Sequence, residues 1–295
     1  MWLGSKHGHL TDWTTQQWVR LTGRRIDLQQ YPWLSGPVGK TKGIGLDFFQ
    51  QLAVEQGLTT EQGEGLLDDF TELVGEKCQP ATVSPAVKDF YEHTRLYEIE
   101  AWSEWCGWFR PFGWMLANLF SRRLQQLNVP LSALDTSRGM TSNVINLIDP
   151  ETGAIRYTAW VRQLLSNRNV LYAGSYSVCT LPGFSEACVK VVFPLPNGNA
   201  IIIMYPEGHA DGSFSITSAG ERFGEPGFYF TVCRNDGVWA RYVRAMRESI
   251  RVYPSGSSDV RADHTLKLWG AIFLRLHYKL RRTVTAQHVQ APVGA

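Results

Sequence analysis

The chain has 295 residues, 44% of them apolar and 19% charged, which fits a folded globular protein and excludes a disordered one. A formal net charge of +2 gives no basic footprint for nucleic acid, so that partner class is set aside. The unusual feature is aromatic content, with 11 Trp, 11 Tyr and 14 Phe, a load that suits thick cores and pockets for flat or greasy ligands.

The N-terminus, MWLGSKHGHLTDW, lacks the apolar run of a signal peptide. No segment supplies the ~18 apolar residues of a membrane span. Five cysteines without a CxxC pair read as free thiols in a reducing compartment, Cys179 and Cys188 flanking a hairpin loop. These features predict a soluble, cytoplasmic protein without a transmembrane segment.

The stretch Trp33–Gly45, WLSGPVGKTKGIG, ends like a phosphate-binding loop at Gly39-Lys40-Thr41. That loop needs a glycine five positions before Gly39, where Leu34 stands, and Gly36 leaves only two spacers. A dinucleotide fingerprint fails as well, because Phe48 occupies the position of the third glycine after Gly43 and Gly45. The segment reads as turn chemistry, with Lys40 and Lys42 as solvated charges, and no nucleotide cofactor is expected.

Helical patterns follow. LDFFQQLAVEQG places Phe49, Leu52 and Ala53 on one face, with Gly57 to end the helix. GLLDDFTELV repeats the pattern through Leu66, Phe70, Leu73 and Val74. A longer helix is predicted from Ser84-Pro85, its buried stripe running through Val87, Phe90, Tyr97, Ala101, Trp105 and Trp108. WMLANLFSRRLQQLN resumes helix beyond Pro111 and Gly113. On such a helix His93, Glu100 and Glu104 would share a face, but no ferritin-like Glu-x-x-His repeat and no HExxH accompanies them, so no metal is assigned. The run Trp102–Trp114 holds six large aromatic rings and would plug or cover whatever follows.

From about residue 135 the pattern changes to strands of period two separated by DPETG, LPNGN, HADGS, RNDG and PSGSS turns. About eleven such strands mean an antiparallel meander that must close into a barrel or wrap around helices. The predicted fold class is therefore α+β: N-terminal helices packed on a long, strongly curved antiparallel β-sheet or barrel. Residues 1–134 form the mainly helical region, 135–282 the sheet in one compact domain with it, and 283–295 a disordered tail.

Period two also sorts candidate site residues. His264 shares a face with Leu266 and Leu268 while Asp263 points away, so His264 is a core histidine or a polar anchor in an apolar pocket. Tyr172, Gly174 and Tyr176 share one side. Ile155, Tyr157, Ala159 and Val161 oppose Arg156, Thr158, Trp160 and Arg162. Arg275, His277 and Lys279 share a face that solvent explains best. No GxSxG and no linked Ser-His-Asp set points to a nucleophile. The reading that gathers these features is a cavity protein for an apolar or aromatic small molecule, lipid or polyketide-like. Its ligand-binding candidates are Trp105, Tyr157, Tyr172, Tyr176 and His264. His264 is also the weak catalytic candidate for cyclase- or isomerase-type chemistry. The alternative is a non-enzymatic interaction module that uses the Trp-rich segment as a protein- or membrane-docking surface.

Overall fold

A computed structural model describes residues 10–40, 44–107, 109, 139–165, 168 and 170–283. The predicted helix over 114–128, Trp108 and the tail from 284 onward lie outside the described residues.

The first helix, α1 (Leu10–Thr22), turns Asp12, Gln16 and Val19 inward at helical spacing. Its end lies so close to the sheet that a Cβ on Gly23 would fall 2.7 Å from the Ala240 carbonyl, which explains glycine there. The second, α2 (Phe48–Gln56), buries Phe48, Phe49, Leu52 and Ala53 and ends as expected at Gly57, in left-handed conformation at φ 67°. The third, α3 (Pro85–Glu92), starts after Ser84 with proline in its first turn and buries Val87, Phe90 and Tyr91.

Among the described residues fourteen strands make one antiparallel sheet. Those of the C-terminal half fall where the alternation and turns predict: β4 (Met140–Ile148), β5 (Ile155–Leu164), β6 (Val170–Thr180), β7 (Ala187–Leu195), β8 (Gly198–Gly208) and β9 (Phe214–Thr217). They continue as β10 (Gly227–Arg234), β11 (Gly237–Tyr242), β12 (Met246–Pro254), β13 (Val260–Leu268) and β14 (Ala271–Arg282). The N-terminal half adds β1 (Arg24–Ile26), β2 (Thr59–Gln62) and β3 (Tyr97–Trp105). The strand order is β2-β4-β5-β6-β7-β8-β9-β12-β13-β14-β3. At β8 the sheet forks: its first half pairs with β10, which carries β11 and β1, and its second half pairs with β9. The two ends of the order do not hydrogen-bond to each other, so the sheet is strongly curved but not closed. Ile99 of β3 and Val144 of β4 nevertheless join the same buried cluster, because curvature brings both ends around one core.

Two helix predictions are corrected. The helix beginning at Pro85 stops at Glu92, and Tyr97–Trp105 is a strand hydrogen-bonded to β14. Within 66–74 only a short 3-10 turn forms, Phe70–Leu73, because the Asp69 side chain captures the Thr71 N–H at 2.7 Å and starts a local turn instead of an α-helix. His93, Glu100 and Glu104 consequently share no helix face: His93 caps α3, and the two glutamates pair with Arg281 and Arg275 on the outer side of the β3–β14 ladder.

The glycine-rich stretch is a strap rather than a phosphate cradle. Trp33 and Leu34 are buried in a 3-10 turn, Gly39 bridges to Pro196, and the Asn197 N–H donates to the Gly39 carbonyl at 2.8 Å. Lys40 forms an ion pair with Glu55. A Cβ on Gly39 would meet the Leu195 carbonyl at 2.7 Å, so glycine here serves close approach to the β7–β8 hairpin.

Candidate functional site

The concave face of the sheet encloses a cavity of about 580 Å³, within the usual range for small-molecule sites. Its wall is almost wholly apolar, with Ile202, Phe228, Ile250, Leu274 and Leu276 among the lining side chains. Helix α1 contributes Asp12, Gln16 and Val19 at one side, and Phe90 and Tyr91 of α3 contribute at another.

Strand pairing explains how polar groups reach this apolar interior. On β5, Trp160 and Arg162 point inward, while Ala159 and Val161 point outward onto Phe49 and Leu52 of α2. Arg162 stands opposite Tyr172 of β6, and Thr158 stands opposite Tyr176. Gly174 lies between the two tyrosines, where a Cβ would come within 3.1 Å of the Tyr172 ring and 3.2 Å of Phe193. Its lack of a side chain lets those rings pack over the strand. On the far wall, Ile250 of β12 is opposite His264 of β13, which is opposite Leu276 of β14. Tyr278 faces Ala262 in the same layer.

The polar groups form two clusters. In the first, the Arg162 guanidinium lies 4.2 Å from the ring centre of Trp160, 4.5 Å from Tyr172 and 5.6 Å from Tyr278. Trp160 and Tyr172 are themselves 5.4 Å apart, and the Trp160 indole N–H donates to Ser142 at 2.9 Å. Burial pushes the Tyr172 phenol well above its usual pKa, with Tyr176 and Glu248 acting in the same direction and Arg162 against them. Tyr176 is pushed up to about 12, again chiefly by burial, and Arg162 and the Tyr172 hydroxyl oppose that shift. Both tyrosines are therefore neutral hydroxyls at physiological pH. In the second cluster, His264 Nε2 sits 2.9 Å from Glu248 Oε2, both groups largely buried.

Of the residues predicted to bind ligand, Trp105, Tyr172, Tyr176 and His264 line the cavity together. Tyr157 does not. It packs on the outer cluster beneath α2, because β5 is covered on both faces and its cavity side carries Trp160 and Arg162. Arg162, Glu248, Trp160 and Tyr278 are cavity residues that period two alone did not select. The signal for Arg162 was its position two residues from Trp160 in a strand otherwise rich in apolar groups. Asp263 faces away and meets His277 at 2.7 Å on the solvent side, where Arg275 also pairs with Glu104. Trp105 is half-buried, whereas Trp102 is 42% exposed.

Over 257 residues, 86% of the chain, the sequence is 27% identical to the "Uncharacterized membrane protein YndJ" of Bacillus subtilis (strain 168). The matched region spans 43% of that protein's length. No family model matches the chain, and no solved structure matches it. The relative is named as a membrane protein, which overturns the expectation of a soluble, cytoplasmic protein. Among the described residues no helix is long and apolar enough to cross a membrane.

Proposed function

We propose that this chain is a cavity protein that takes up an apolar or aromatic small molecule, lipid-like in character, within the concave face of its sheet. The observation that carries the reading is the cavity of about 580 Å³, whose apolar wall is interrupted by a few convergent polar groups. Ligand sites typically combine these two features, the first supplying affinity and the second orientation. The tyrosine hydroxyls and the His264–Glu248 pair are held by the strands, so an occupant would meet a preformed set of hydrogen-bonding groups. A membrane setting of the kind named for the relative would place such molecules within reach.

The test uses the intrinsic tryptophans. Trp105 and Trp160 stand in the wall, so a bound apolar ligand should change fluorescence saturably and raise the melting temperature. Native mass spectrometry of protein purified from its own host should show a retained small molecule. Ile202→Trp, which fills the cavity, should abolish the fluorescence response while the fold persists. No response to any member of a fatty-acid, alcohol and polycyclic aromatic panel would sink the reading.

A further inference from the structure

We infer that the cavity's occupant carries one oxyanion on an apolar body, and that Arg162 is its receptor. This inference rests on the cavity reading above and names the chemical class of the ligand.

Arg162 is only 5% exposed, yet among the described residues no carboxylate lies within ion-pairing distance of it and no group accepts a hydrogen bond from its Nε. An arginine cannot escape burial by losing its proton, so the charge persists in this apolar interior. Removing such a charge from water costs several kcal/mol, even after relaxation. The rings of Trp160, Tyr172 and Tyr278 offset part of that cost through cation–π attraction. Ring contacts, however, supply no lone pair in the carboxylate-like fork that the guanidinium N–H donors match. Glu248, a carboxylate of the cavity wall, is engaged with His264 at 2.9 Å.

A second observation points the same way. Among the described residues, the buried cavity-lining side-chain atoms left without a hydrogen-bond partner are Arg162 Nε and Trp105 Nε1, both N–H donors, while the Tyr172 hydroxyl turns to Tyr176. Buried polar groups in folded proteins are nearly always satisfied, so a surplus confined to donors calls for an acceptor that the described residues do not supply. A carboxylate or phosphate supplies acceptor oxygens in the planar fork geometry that arginine matches. The apolar remainder of the cavity then takes the body of the same molecule. A neutral hydrocarbon or sterol-like alcohol would leave both the charge and the donors unanswered.

The experiment compares dodecanoic acid, dodecyl phosphate and dodecanol on the wild-type chain and on Arg162→Gln, by fluorescence titration and calorimetry at neutral pH. At least one anionic ligand should bind about tenfold or more tightly than the alcohol, the size of one charge-assisted hydrogen bond. Arg162→Gln should abolish that preference while leaving alcohol affinity within about twofold. The relative affinity of the acid and the phosphate identifies which oxyanion the site takes. Equal binding of alcohol and anions to the wild type, or an anion preference that survives in Arg162→Gln, would overturn the inference while the cavity reading stands. Binding of none of the three would remove both. If Arg162→Gln does not fold, the head-group series on the wild type alone decides the matter, and an anion bound no better than the alcohol refutes it.

Discussion

His264 and Glu248 meet diagonally across the β12–β13 ladder: Glu248 stands opposite Leu266 and Ile250 opposite His264, yet the ring nitrogen and the carboxylate oxygen are 2.9 Å apart. The glutamate backbone is fixed too, its N–H bonded to the Ser218 hydroxyl at 2.8 Å. Burial makes this pair costly to break from one side. Glu248→Leu or His264→Leu should each destabilise the protein by about 2–4 kcal/mol, because the remaining partner is left buried without its mate. The double leucine variant should lose less than the sum, with a coupling of about 1–3 kcal/mol. Urea unfolding of the four proteins measures the cycle, and strictly additive losses would show that the contact carries no energy of its own.

The outer face of the same strands offers the opposite case. Arg275 pairs with Glu104 at 3.3 Å, and both side chains are about half exposed. Solvent screening leaves such a pair worth about 0–1 kcal/mol. Arg275→Ala should therefore shift the urea midpoint only slightly, and the small shift should fade in 1 M salt. A loss comparable to that of Glu248→Leu would mean that this face is covered in the intact protein.

Asp89 links α3 to β3 and the end of β14. It accepts from the Tyr97 hydroxyl at 2.7 Å and from Arg282 at 2.8 Å. Burial alone would raise its pKa, but the Tyr97 hydrogen bond, then Arg282 and His93, together hold it below the usual aspartate value. A carboxyl depressed in the folded state contributes stability that is present above its unfolded pKa of about 4 and is lost as pH falls through the folded value. Tyr97→Phe should cost about 1 kcal/mol at pH 6 and move the acid-unfolding midpoint upward. An acid limb identical to that of the wild type would refute the role of this hydrogen bond.

How much of this was legible beforehand depended on how many faces of an element are covered. The later strands announce themselves, since turns such as DPETG and LPNGN separate runs of clear alternation. Strand β3 was misread because Tyr97, Ala101 and Trp105 are spaced by four, which puts them on one face in a helix and in a strand alike. The deciding residues lie between them: Glu98, Glu100 and Glu104 alternate with Tyr97 and Ile99, which only a strand explains. His264 was legible because one face of β13 meets solvent. On β5 that guide fails. Ala159 and Trp160 are both buried, so nothing in the strand's own sequence tells which side faces the cavity. Period two separates Tyr157 from Trp160 and Arg162 but does not say which of the two faces meets the cavity, and the structure gives it to Trp160 and Arg162. The answer is set by α2, which covers the outer side.

The cysteines give a chemical check on the same packing. Cys179 of β6 and Cys188 of β7 are directly opposite each other and both are free thiols. Burial pushes the Cys179 thiol up to about 11, with Lys190 slightly opposing, and Cys188 up to about 12, with Cys179 and Glu186 adding to the rise. At pH 8 both thiols are therefore overwhelmingly protonated, and the thiolate is the species that reacts. Iodoacetamide should therefore leave both unmodified in the native protein and label them readily in urea. Peptide mass mapping reads the outcome directly. Labelling at native pH 8 as fast as in urea would show that the β6–β7 hairpin opens to solvent, and with it the wall that holds Tyr172 and Tyr176.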